Sequence, residues 1–223
     1  MKKMILMALL AMAVTSVKAQ YEPGRWSLKP YAALGFSTLS NMEALPLFPG
    51  VKLDKNIAAA ARSGLVVEYQ VAERVGIEAG LMYGMQGCGW DDYKAGDNKL
   101  ENFGLELQYI QVPVAANIYL VKGLALKAGV QVSFLTSADV KYTTETKING
   151  YDTTSDTRID FKKECNTVDV SIPVGLSYEF DSHWVIDATY NIGLTKVNKD
   201  SDPDGNDHKN GVFFVGFGYK FGL

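Results

Sequence analysis

Asp200, Asp202 and Asp204 stand at alternate positions before Gly205, followed by Asn206, Asp207 and His208. Alternating carboxylates ahead of a glycine turn match the opening of a calcium loop, where hard oxygens converge on one cation. The twelfth position, which should supply a bidentate glutamate, is Gly211. Two readings therefore stand: a calcium site with Asp200, Asp202 and Asp204 as ligands, and a solvated acidic hairpin tip.

Cys88 and Cys165 are the two cysteines of the chain, and nothing about them has zinc-type spacing. A disulfide between them would stabilise by roughly 4 kcal/mol in the loop-entropy model. Sequence does not supply the distance, so pairing stays open. The two histidines are expected to be solvated, His183 in a periplasmic turn beside Asp181 and Ser182, His208 in an outer loop beside Asp207. Neighbours in sequence rarely assemble a nucleophile, a base and its orienting partner. No catalytic residue and no cofactor-binding motif is expected, and the chain is read as a non-enzyme.

The start of the chain says where it goes. Lys2 and Lys3 precede an apolar run from Met4 to Val14, and Val17 and Ala19 form a small-residue cleavage site. This is a secretory signal over 1–19, leaving a mature domain over 20–223. The run is shorter than the roughly 20 residues of a spanning helix, and no later stretch is long and apolar enough. The formal charge of −3 loses Lys2, Lys3 and Lys18 with the signal and becomes −6. A basic footprint for nucleic acid is absent.

The elements that hold these residues are strands. Val75, Ile77, Ala79, Leu81, Tyr83 and Met85 alternate with Gly76, Glu78, Gly80, Met82, Gly84 and Gln86. Such period-two patterning marks a strand with two different faces. It recurs in eight segments, at about 26–38, 60–71, 75–87, 105–120, 124–136, 167–180, 184–197 and 211–223. Connections near Ala72–Arg74, Val121–Gly123 and Asp181–His183 are short, as in tight hairpins. Those at 39–59, 88–104, 137–166 and 198–210 are long and polar. Short turns at one end and long loops at the other predict an all-β, eight-stranded antiparallel up-and-down transmembrane barrel in a Gram-negative outer membrane. Its short turns face the periplasm, and outer-membrane lipid is the first partner.

A soluble barrel is the rival, and two patterns oppose it. The polar faces carry many glycines, which make room inside a narrow barrel. The apolar faces carry Trp26, Tyr69, Phe180, Trp184 and Phe221 toward one end and Phe36, Tyr83 and Phe134 toward the other. Two aromatic girdles suit two membrane interfaces.

By parity Lys29, Glu68, Glu78, Lys127, Asp169, Glu179, Asp187 and Lys220 point inward. Eight strands leave an interior just wide enough for side chains, so these charges are expected to form a paired plug, with an ion or proton path as the alternative. One segment breaks the pattern. Between Leu105 and Leu120 the apolar positions move from odd to even near Tyr109–Ile110, which predicts a bulge there that restores the facing; Pro113 adds a missing N–H.

Four stretches carry a family resemblance: LQYIQVPVAANIYL at 107–120, VDVSIPVGLSYEF at 168–180, WVIDATYNIGLTKV at 184–197 and the closing FFVGFGYKFGL. They resemble the PorT-like outer-membrane β-barrel family, most specifically in Ile110–Pro113 and Ile172–Val174. The terminal Leu223 departs from the usual aromatic closing residue. The resemblance implies the barrel and its location. Its namesake belongs to a secretion system, so the resemblance implies a structural or interaction role beside secretion or envelope-assembly proteins. It transfers no catalytic residue. The long segments near Asn41–Ala59 and Asp139–Glu164 offer surface for such partners.

Overall fold

A computed structural model describes residues 22–40, 54–95, 98–148, 151–199 and 207–223. In chain order the strands are β1 Trp26–Leu39, β2 Lys55–Asn56, β3 Ala58–Ala72, β4 Val75–Trp90, β5 Tyr93–Ala95 and β6 Asn98–Val121. There follow β7 Leu124–Ile148, β8 Tyr151–Asp160, β9 Val168–Glu179, β10 Trp184–Gly193, β11 Asn210–Tyr219 and β12 Phe221–Gly222. All pairings are antiparallel, and β1, β3, β4, β6, β7, β9, β10 and β11 close into a ring.

The register sets the shape of that ring. From Trp26 the pairs run through Tyr69, Ile77, Ala116, Ala128, Val174, Tyr190 and Phe213 to Phe36, so one circuit climbs ten residues of β1. For eight strands this stagger corresponds to a strand tilt of roughly 40°. At ~3.3 Å per residue the climb is about 25 Å along the barrel axis, the height of an outer-membrane apolar band.

The two faces sort as the alternation requires. Leu34, Leu81, Val130, Phe217 and their neighbours project outward and exposed, Leu34 at 72%. In water such a continuous apolar belt would be costly, at about 25 cal/mol per Å²; in lipid it is the stable arrangement. Trp26, Phe180, Trp184 and Phe221 rim the short-turn end, while Phe36, Tyr83 and Phe134 rim the other. Trp26 packs on Tyr69 at 4.7 Å between ring centroids, and Trp184 stacks on Phe217 at 4.6 Å. The start of β1 and the C-terminal residue lie together at the short-turn end, where the Leu223 N–H donates to the Trp26 carbonyl.

Three expectations need correction. The segments 88–104 and 137–166 are not simply loops. β6 and β7 continue beyond the aromatic rim and stay paired as far as Asn98 and Thr146, with β5 and β8 added at their flanks. The second concerns the irregularity in 105–120. The register slips where Gln108 and Tyr109 face Ser137 and Leu135, so the extra residue is Thr136 on β7. Its hydroxyl donates to the Gln108 carbonyl at 2.9 Å. Facing on β6 does not change: Leu105, Leu107 and Tyr109 are buried inside, as are Gln111 and Asn117 below them. The facing changes on β7, where Leu135 is buried and then Ala138 and Val140. Apolar residues there fill an inner layer, so hydrophobicity ceased to report which way they point.

The third concerns His208. It is buried, with its Nδ1 3.2 Å from the Ser40 carbonyl oxygen, rather than solvated in a loop. Pro113 and Pro173 behave as their missing N–H requires. Pairing is interrupted between Ala79/Val114 and Met82/Gln111 and again between Ala128/Val174 and Gln131/Ser171, the steps that hold the two prolines.

Candidate functional site: the lumen and the outer rim

All eight charges assigned inward by parity are inward. Seven of them, all but Asp169, fall into two groups. Near the periplasmic mouth Lys220 Nζ stands 2.9 Å from Glu68 and 2.7 Å from Glu179, while Tyr119 donates to Glu68 at 2.6 Å. Deeper in, Lys127 lies 2.8 Å from Glu78 and 3.6 Å from Asp187, and Lys29 lies 3.4 Å from Glu78. Asn117 adds a bond to Glu78, and Tyr31 donates to Asp187 at 2.8 Å. Taking these ions out of water is affordable because each carboxylate of the two groups meets a cation, and Glu68, Glu78 and Asp187 also accept from a neutral donor.

Arg62 went unassigned in the sequence, because Ala61, Arg62 and Ser63 interrupt the apolar alternation of that segment. It is buried and crosses the lumen. It donates to Tyr31 and to Thr189, and its guanidinium lies 4.2 Å from the Phe214 ring centroid. Gly216 makes the room for Tyr31: a Cβ there would fall 2.0 Å from the phenol oxygen. The glycines of the polar face thus serve the interior, as expected of a narrow barrel.

Above the charges comes a neutral polar layer of Gln86, Gln111, Gln131, Ser133, Ser171 and Asn191, all buried. Above that, Leu39, Leu105, Leu107, Leu135, Val140 and Phe103 form an apolar cap with Trp90 and Val197. Charged, polar and apolar side chains thus occupy successive levels of the lumen. At the periplasmic mouth a cavity of about 90 Å³ remains, lined by Trp26, Gln70, Glu179, His183 and Lys220 among others. His183 itself sits in a turn at φ 64° with Nδ1 3.5 Å from Glu179.

Cys88 and Cys165 are both buried in the apolar cap, and no disulfide joins them in the structure. Burial pushes the Cys88 thiol up to about 12 and the Cys165 thiol to about 11. A disulfide between them remains a proposal for the oxidised protein. Asp200, Asp202 and Asp204 lie outside the described residues, and so does the signal segment.

On the outer rim the extended β6–β7–β8 sheet carries a row of paired charges. Lys141 donates to Glu106 at 2.5 Å, Arg158 to Asp139 at 2.6 Å, and Ser137 to the same carboxylate at 2.7 Å. The β8 edge, with exposed Thr153, Thr154, Ser155 and Asp156, faces away from β7.

Residues 18–199 match the family described as outer membrane protein beta-barrel domain. A comparison with curated proteins finds no match. Among solved structures, Ail, the attachment invasion locus protein of Yersinia pestis, superposes with a TM-score of 0.42 at 17% identity, covering 90% of this chain and 100% of that one. Neisserial surface protein A gives 0.42 at 15% identity over 88% and 97% of the two chains. CarO of Acinetobacter baumannii gives 0.41 at 13% over 92% and 100%.

Proposed function

Since the chain belongs to the outer membrane protein beta-barrel domain family, and so resides in the Gram-negative outer membrane, we propose that it is an interaction barrel: an accessory of a secretion or envelope assembly, of the PorT-like kind. The observation that carries this reading is the sheet that β6, β7 and β8 raise beyond the aromatic rim. Strands extended past the membrane cost chain length and order without adding to the barrel's closure, and such surface elements are where binding concentrates. A conducting role is disfavoured by the apolar cap over the charged plug.

The test is crosslinking of the tagged protein in its native outer membrane, purification in mild detergent and identification of what stays bound. Secretion or envelope-assembly proteins should be recovered with the intact chain. They should be lost when residues 143–156 are replaced by a two-residue turn. Recovery of the barrel alone overturns the proposal.

A further inference from the structure

We propose that the polar layer of the lumen around Asp169 binds one monovalent alkali cation, sodium or potassium. Among the described residues the lumen holds four basic side chains, Lys29, Arg62, Lys127 and Lys220, against five acidic ones, Glu68, Glu78, Asp169, Glu179 and Asp187. Four of those acids lie within 3.6 Å of a lysine. Asp169 is the exception. It is 3% exposed, and its described partners are neutral: the Thr195 hydroxyl, at 3.2 Å, and the Asn210 side-chain amide. A buried carboxylate without a counter-charge is costly.

Its surroundings are oxygens without hydrogen-bond partners. Ser171 Oγ, Asn191 Oδ1 and Gln111 Oε1 are buried and unpartnered, and the Asn210 side-chain amide adjoins Asp169 itself. The register makes them one patch. Gln111 faces Ser133, which faces Asp169; Gln131 faces Ser171, and the Asn191 amide nitrogen reaches Gln131 at 3.2 Å. Beside Ser171 stands Gly193, where a Cβ would fall 2.4 Å from the Asn210 carbonyl oxygen.

Oxygen-only donors suit a hard cation. One carboxylate among neutral oxygens balances a single positive charge, and a divalent ion would leave a buried excess. Ordered water would satisfy the oxygens, as buried water commonly does, but would leave the charge unbalanced. The apolar cap above and the ion pairs below enclose the layer, so the ion is captured as the barrel forms.

The barrel is refolded from denaturant into lipid vesicles in sodium, potassium or choline chloride at equal ionic strength, and its thermal midpoint is read by gel shift. The midpoint should rise with sodium or potassium over choline, and Asp169→Asn should remove that difference. Ser171→Ala, a milder change, should reduce it if Asp169→Asn fails to refold. Equal midpoints in all three salts overturn the proposal. So does a midpoint that follows pH but not cation identity, because the carboxyl would then carry a proton.

Discussion

Lys127 Nζ lies 2.8 Å from Glu78 Oε1 across the lumen, although β6 stands between their strands. The pair spans the barrel interior rather than following the sheet, and both side chains are buried. It ties β4 to β7 in a way that strand pairing does not.

Removing one partner of that pair should therefore destabilise strongly. Lys127→Met is expected to cost about 3–5 kcal/mol, because Glu78 and Asp187 are left short of a cation. Glu78→Gln combined with Lys127→Met should cost clearly less than the two single changes added together. Urea unfolding of the refolded barrel in vesicles measures the cycle. Strict additivity would mean that the pair is not coupled.

Gly216 predicts a steric effect at a distance from its own strand. A side chain there occupies the place of the Tyr31 phenol, which otherwise bonds Asp187. Gly216→Val should cost about 1–3 kcal/mol, as overpacking does. Gly216→Val with Tyr31→Ala should recover part of that loss. No recovery would show that Tyr31 is not the obstacle.

The lipid and lumen faces should answer oppositely to charge and to truncation. Leu81 projects outward from the middle of β4, so Leu81→Arg should cost about 2–4 kcal/mol in vesicles. Leu107 is fully buried in the cap, so Leu107→Ala should cost about 2–5 kcal/mol. Leu81→Ala should cost much less than Leu107→Ala. The reverse order would invert the assignment of the faces.

Acid should loosen the outer sheet before the barrel. The Arg158 hydrogen bond holds the Asp139 carboxyl below its ordinary value of 3.8. A carboxyl depressed on folding contributes stability that is present above its unfolded value and lost as pH falls through the folded one. Hydrogen exchange of β7–β8 amides beyond Asp139 should therefore accelerate below about pH 4, and Arg158→Gln should bring that faster exchange to neutral pH. Protection unchanged by both would remove this ion pair from the account of the sheet.

The thiols should be inert in the folded chain. Thiolate is the reactive form, and burial disfavours it at Cys88 and Cys165. Maleimide at neutral pH should label neither cysteine in the native barrel and should label them after unfolding. Unfolded samples from the periplasmic pathway, alkylated with and without reductant, read the proposed disulfide: equal labelling rejects it.

The barrel and its inside were legible because a strand has a period of two. Once Leu65, Val67 and Leu81 were lipid-facing, Glu68 and Glu78 had to face inward, and the same parity placed Lys29, Lys127, Asp169, Asp187 and Lys220. Aromatic residues at the ends of those faces marked the rims for the same reason. Parity says nothing about what meets across a lumen. That Lys220 joins Glu68 to Glu179, that Arg62 reaches Thr189, and that Asp169 meets neutral groups and no lysine depend on the ten-residue stagger of the closed ring. The outer sheet was hidden for a different reason. Its strands are rich in threonine and charge, and a strand without a continuous apolar face has no alternation to read. The parity change on β7 was hidden because Leu105, Leu107 and Leu135 are apolar and inward: burial in lipid and burial in a cap ask for the same residues, and only the closed tertiary structure tells the two apart.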